Sequence, residues 1–368
     1  MTSSITEILY VGRDPAWAPW AVQYFFLIGL SFASLALSLP GVAFARPAWR
    51  GASRMALLGA LVCGLAAPVA LLSDLAQPGR FMNFYLHPAG SSWMAWGAFF
   101  IPFYLGSLLL YAWAALAPDL RAAAAEGGIL APVRRLLGGE ARPGLVRALG
   151  WLALVAAALV ALYTGVEVMV VKARPLWNTA LLPFQFAATA FAGAIGLAIL
   201  FDKLAGDNEP ATKALLNRLL AKTLAIVVAI GAIWFAAALA LPKSSEAQAL
   251  AQVANSSVWR LNALWLAAAT LVPLVIAAAK PNGSGWLTGV LALNAAWMFR
   301  WTIFIGGQDI PKTGAGWYAH PLALGPEGLL GIVGTAGLCL TLFIVLTTLI
   351  PWTGRASVAT RPAAQIGA

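Results

Sequence analysis

Nine apolar runs, each close to twenty residues long, divide this sequence: 20–39, 55–75, 93–116, 149–171, 181–200, 219–241, 259–279, 286–306 and 328–351. A helix needs roughly 20 apolar residues to cross about 30 Å of hydrocarbon, so the runs count membrane crossings rather than soluble domains. Charged residues make up only 10% of the chain and hydrophobic ones 61%, whereas soluble domains carry about 25% charged residues. The expected fold is therefore an all-α integral membrane protein of about nine transmembrane helices. Pro68, Pro102, Pro183 and Pro273 fall inside the runs. Bundled membrane helices tolerate proline because neighbours satisfy the freed carbonyls.

Lysine and arginine in the connections give the orientation. One set holds fifteen cations, among them Arg46, Arg50, Arg54, Arg121, Arg134, Arg135, Arg142, Arg147, Lys203, Lys213, Arg355 and Arg361. The alternate set holds eight: Arg13, Arg80, Lys172, Arg174, Lys243, Arg260, Arg300 and Lys312. The richer set is expected inside a bacterial inner membrane, with an extracytoplasmic N-terminus and a cytoplasmic C-terminus. The net charge of +10 reflects this bias and calls for no nucleic acid. Glu7 and Asp14 beside Arg13 deprive the leader of a basic n-region, so the first run is expected to stay as a span despite Ala43-Phe44-Ala45. Inner connections such as 121–147 read as flexible linkers anchored to anionic lipid, and 353–368 as a disordered tail.

Unusual residues collect in the outer connections. Asp74 closes the second run, followed by Arg80-Phe81, His87-Pro88, Trp93 and Trp96-Gly97. Arg174-Pro175-Leu176-Trp177-Asn178 follows the fourth. Tyr163 and Glu167 are four residues apart, which puts them on one helix face, while Gln23 and Tyr24 open the first run. Taken singly, Tyr24 and Tyr163 read as interfacial aromatics and Asp74 as a loop tie to Arg80. Together, a phenol, two carboxylates, an imidazole and an arginine at one depth suit a quinone, whose ring needs hydrogen bonds at two oxygens. Oxidising a quinol also needs a proton acceptor, for which His87 and Glu167 are the candidates, with Tyr163 donating to a ring oxygen.

Other chemistry is missing. Haem b in a bundle takes a histidine from each of two helices, yet His87 and His320 lie outside the runs. Cys63 and Cys339 cannot ligate an iron–sulfur cluster. No phosphate loop, nucleophile triad or zinc spacing occurs. Electrons from a quinol would have to pass to a protein docked on the outer face.

These motifs resemble the NrfD/PsrC-like family, the quinol-oxidising membrane subunits of polysulfide, thiosulfate and tetrathionate reductases. The resemblance rests on Tyr24-Phe25-Phe26-Leu27-Ile28-Gly29, on Asp74 with Arg80-Phe81 and His87-Pro88, on Ser92-Trp93 and Trp96-Gly97, on Tyr163 followed by Arg174-Pro175-Leu176-Trp177-Asn178, and on Arg300 with Gly307-Gln308. It implies two four-helix bundles over 20–308 and an extracytoplasmic quinone pocket for menaquinol or ubiquinol. Tyr163 matches the family's pocket tyrosine, and Tyr24 stands where some members place a histidine. Quinone-binding roles fall to Gln23, Tyr24, Asp74, Arg80, Trp93, Tyr163, Arg174 and Asn178, and catalytic ones to His87, Tyr163 and Glu167. The implied partners are a four-cluster, ferredoxin-like iron–sulfur subunit and a molybdopterin catalytic subunit. The remaining divisions are extracytoplasmic segments at 1–19 and 309–327, an additional span at 328–351 and a cytoplasmic tail at 352–368. That ninth span and the chain length resemble the tetrathionate-reductase type. A secondary transporter and a purely structural anchor stay open as alternatives.

Overall fold

The computed structural model describes residues 17, 19–254, 256–310 and 322–353. Arg13, Lys312, His320, Arg355, Arg361 and the tail beyond residue 353 lie outside the described residues. Nine helices long and apolar enough to span a membrane occur among those described: α1 (Pro19–Val42), α2 (Arg50–Asp74), α3 (Trp93–Ala125), α4 (Pro143–Met169), α5 (Leu181–Ala205), α6 (Pro210–Ala240), α7 (Ser257–Ala279), α8 (Trp286–Trp301) and α9 (Leu329–Leu349). The expected all-α membrane fold holds. Helices are what such runs must form, because hydrocarbon offers no partner for an open backbone group.

Helices α1 to α4 close one four-helix ring, with α1 beside α2 and α4, and α3 bridging them. Helices α5 to α8 close a second, in which α5 touches α6 and α8 and α7 completes the circle. The two rings meet where α1 lies along α5 and α8, so α1 is buried over most of its length. Outside both rings, α9 rests on α2 and α1 and buries only Gly331 and Thr335.

Small residues set the closest approaches, since lipid supplies no hydrophobic drive between helices and van der Waals packing must serve instead. At the α5–α8 crossing a Cβ on Gly196 would strike the Gly289 carbonyl oxygen, and one on Gly289 would strike that of Gly196. Polar rungs add register inside the first ring. Ser31 Oγ donates to the Ala60 carbonyl at 2.8 Å and lies 2.7 Å from Tyr104 Oη, while two turns on Ser38 Oγ lies 3.3 Å from Tyr111 Oη.

The connections expected on the inner side are more ordered than the sequence suggests. The segment 121–147, expected as a flexible linker, instead continues α3 to Ala125 and forms a short helix at Ala131–Leu137 before α4 begins at Pro143. Arg134 within it and Arg54 on α2 have a structural task. Arg134 donates to the carbonyls of Thr348 and Leu349 at 3.0 Å each. Arg54 donates to Pro351 O at 2.7 Å and Trp352 O at 3.1 Å while paired with Asp119 at 2.7 Å. Arg134 thus caps the end of α9, where carbonyls lack helical partners and the dipole is negative, and Arg54 holds the two residues just beyond Ile350.

Leucine at Gly196 or Gly289 should overpack the α5–α8 crossing, at a cost of about 1–3 kcal/mol or more. Thermal melts in detergent should show both Gly196→Leu and Gly289→Leu well below the parent. Gly231→Leu on exposed α6, where an added Cβ meets nothing, should melt with it. Equal melting of all three variants would refute this crossing.

Candidate functional site

A cavity of about 460 Å³ opens at one end of the first ring. Helical periodicity dictates its walls. Ala21, Tyr24 and Phe25 project from one face of α1, and Ala98, Ile101, Pro102 and Leu105 from one face of α3, spacings of three and four that stack on a single side of a helix. Pro68, Leu71, Leu72 and Asp74 come from the last turns of α2, and Tyr163 and Glu167 from the last turns of α4. Phe81, Phe84 and Tyr85 roof it from the α2–α3 connection, which carries a short helix at Asn83–Leu86.

The walls are mostly apolar, with polar groups gathered in one place. Tyr24, Tyr163 and Glu167 are 1%, 3% and 8% exposed, so the two tyrosines belong to the bundle interior and not to an interfacial belt. The Tyr163 side chain lies between those of Tyr24 and Glu167, near enough to interact with both. Tyr24 Oη and Glu167 Oε2 nevertheless lack a hydrogen-bond partner of good geometry. Buried polar atoms normally have one, so these two point to a ligand that supplies it. Gly97 seats the tyrosine, because a Cβ there would overlap the Tyr163 ring. Leu72 of α2 and Pro102 of α3 line the cavity and are both exposed, so the α2–α3 side of its wall is not fully covered. Just inward of them, Gly64 packs against Leu105 and Leu108 and closes that side.

The remaining sequence candidates lie elsewhere. His87 is exposed on the connection and does not line the cavity. Arg80 lines a separate shallow depression with Gln77 and Asn83. Trp93 opens α3 without reaching the cavity, and Gln23 is buried but does not line it. Arg174 and Asn178 build a clasp between the rings. Arg174 Nη1 donates to Gly307 O at 2.7 Å, with its guanidinium 4.9 Å above the Trp177 ring. Asn178 Nδ2 donates to Met169 O at 2.7 Å.

The clasp answers a local irregularity. After α8 the chain makes a π-helical turn at Thr302–Gly306, a form that occurs mostly as single turns and loosens the regular hydrogen-bond ladder. Indoles take up two of its carbonyls: Trp177 Nε1 donates to Ile303 O at 2.7 Å, and Trp259 Nε1 to Gly306 O at 3.0 Å. Gln308 then accepts from Trp17 N at 3.0 Å and donates to Trp17 O at 2.7 Å. Trp17 stacks on Trp177 at 5.3 Å and is itself a wall of the cavity.

The sequence profile described as Polysulphide reductase, NrfD matches residues 12–312. The chain belongs to the NrfD family. It is also similar to a tetrathionate reductase subunit of Salmonella typhimurium, at 31% identity over 93% of this chain and 94% of that protein. The family match takes in both rings and the clasp, and ends before α9.

In this NrfD-family chain the sequence reading misplaces Arg300 and misses part of the cavity wall. Arg300, grouped above with the outer connections, is 1% exposed inside α8. It donates to Phe186 O at 2.8 Å, to Ala296 O at 3.2 Å and to Thr189 Oγ1, and lies 5.2 Å from the Phe186 ring centroid. It joins the rings, since a Cβ on Gly29 of α1 would come within 3.1 Å of Nη2. Trp17 and Phe25 carry no pattern that marks them as cavity wall. Pro68 and Pro102 do carry a signal, as prolines inside neighbouring apolar runs.

Trp177→Phe keeps the ring but removes the N–H, which leaves Ile303 O unsatisfied at a cost of about 1–3 kcal/mol. Its melting temperature in detergent, and that of Trp259→Phe, should fall by several degrees. Trp265→Phe, whose indole is exposed on α7, should change little.

Proposed function

We propose that this chain is the quinol-oxidising membrane anchor of a respiratory molybdopterin oxidoreductase in a bacterial inner membrane. Its N-terminus and the 309–327 segment are extracytoplasmic, and its C-terminus is cytoplasmic. The enzyme it serves reduces a sulfur compound such as tetrathionate or polysulfide. Membership of the NrfD family and the likeness to a subunit of a tetrathionate reductase support this reading. The observation that carries it is the cavity itself, where Tyr24, Tyr163 and Glu167 converge at the end of an apolar chamber whose α2–α3 wall is not fully covered.

A quinol fits that chamber by its two parts. The ring sits among Tyr24, Tyr163 and Glu167, and the isoprenoid tail leaves between Leu72 and Pro102 into lipid. Tyr163 holds a ring oxygen and Glu167 takes its proton, while Asp74, nearer the mouth, passes protons to the extracytoplasmic side. Oxidation releases two electrons and two protons. The electrons go to a four-cluster, ferredoxin-like iron–sulfur subunit docked on that face and on to the molybdopterin subunit. His87, exposed outside the cavity, gives up the acceptor role to Glu167. The polar groups lie at one end of the helices, with Tyr24 near the start of α1 and Glu167 near the end of α4. Transporters place their sites near the bilayer midplane, so this placement counts against a transporter.

In the assembled complex, Tyr163→Phe and Glu167→Gln should lower kcat for quinol oxidation by on the order of 10²-fold. His87→Ala should stay within about twofold of the parent, a change worth under 0.5 kcal/mol. Full activity in both cavity variants would end the proposal. Leu72→Trp should raise KM for long-tailed quinols and leave short-tailed analogues unaffected. An equal effect on both would show that the tail leaves by another route.

A further inference from the structure

The opposite end of the second ring holds a polar cleft of about 310 Å³ that the quinol reading does not use. It lies where α5 ends, α6 begins and the α7–α8 connection passes over both. Asp202 forms part of the floor and is 3% exposed. Lys203 and Lys213 stand exposed at the rim, with Asn282 and Ser284 on the facing connection. Among the described residues, Asp202 makes no ion pair with either lysine; the Asn208 backbone N–H donates to its carboxylate, and Lys213 is close enough to act on it electrostatically.

The cleft is held open by its own framework. Asn217 Nδ2 donates to Ala277 O and Lys280 O at 2.8 Å each, and its Oδ1 accepts from Ser284 Oγ, so one side chain of α6 pins the α7–α8 connection. Asn208, Gly283 and Gly285 line it at positive φ, of 57°, 132° and 85°. Apolar surface beside the polar groups comes from the partly buried Ile199 and the half-exposed Trp286, with the buried Leu216 behind them.

A ligand that satisfies this cleft must carry both signs. A buried carboxylate calls for a cation that donates hydrogen bonds, and two ammonium groups beside it call for an anion such as phosphate. A purely anionic headgroup would meet Asp202 at the floor, with Asp207 and Glu209 on the adjacent connection. A quaternary ammonium would bring no N–H to Asp202. Position adds the last constraint, because the cleft lies at helix ends, where headgroups sit, and has an apolar flank for acyl chains. We propose that it binds the headgroup of a phosphoethanolamine lipid, with the ammonium on Asp202 and the phosphate between Lys203 and Lys213.

The test uses the full chain in nanodiscs of equal parts phosphatidylethanolamine, phosphatidylglycerol and phosphatidylcholine, with retained lipid read by native mass spectrometry. The parent should retain phosphatidylethanolamine selectively. Asp202→Asn and Lys213→Gln should each weaken retention about tenfold or more, a change of 1.4 kcal/mol. Lys213→Gln alters an exposed side chain and keeps the test sound if Asp202→Asn fails to fold. Preference for phosphatidylglycerol, equal retention of phosphatidylcholine, or undiminished retention in Lys213→Gln would overturn the assignment. Soluble phosphoethanolamine raising the melting temperature as far as the lipid does would also overturn it, in favour of an aqueous ligand. None of these readouts depends on quinol oxidation.

Discussion

The carbonyls loosened by the π turn at Thr302–Gly306 are the point on which the two rings depend. In hydrocarbon such groups find no water, and each one left open would cost several kcal/mol. Trp177 from the α4–α5 connection, Trp259 from α7 and Gln308 just beyond the turn bond in and around it. Because Gln308 also grips the backbone of Trp17, the arrangement of the second ring is carried directly into a wall of the cavity in the first. The aromatic packing of Trp17, Phe25, Phe186 and Phe304 fills the space between.

Arg300 shows the same economy at greater depth. A guanidinium buried in a membrane protein is expensive and ordinarily faces a partner or a water-filled space. Here it is held by backbone carbonyls of α5 and α8, the Thr189 hydroxyl and the face of Phe186. The approach of Gly29 gives it room. The residue thereby fixes how α1, α5 and α8 meet, which is the junction of the two rings.

Much of the fold is legible in the sequence because the bilayer imposes it. Nine apolar runs became nine helices, with ends moved by several residues where α3 and α6 extend beyond their apolar stretches to 33 and 31 residues. The ordered stretch after α3 was hidden for a physical reason. Its Arg134 bonds to carbonyls of α9 some two hundred residues away, a pairing that no local composition reveals. At the cavity, Tyr163 and Glu167 stand out because helical spacing places both on one face. Arg174 and Asn178 stand out for their chemistry, but that chemistry serves backbone carbonyls instead of lining the cavity. Gly97 is picked out in the sequence as part of Trp96-Gly97, but its role of seating Tyr163 appears only in tertiary contact, and Trp17, a wall of the cavity, carries no signal that a linear reading can use.

The proposed tail route between α2 and α3 changes how occupancy of the cavity should be counted. By helix rise Leu72 lies about 3 Å inside the end of α2 and Pro102 about 13–14 Å inside the start of α3, and a visitor taking the proposed tail route between them comes from the lipid phase. Its effective concentration is then a ratio to phospholipid rather than an amount per unit volume of buffer. Adding detergent or excess lipid at constant total ligand would dilute it and weaken apparent binding, with no change in any contact inside the chamber.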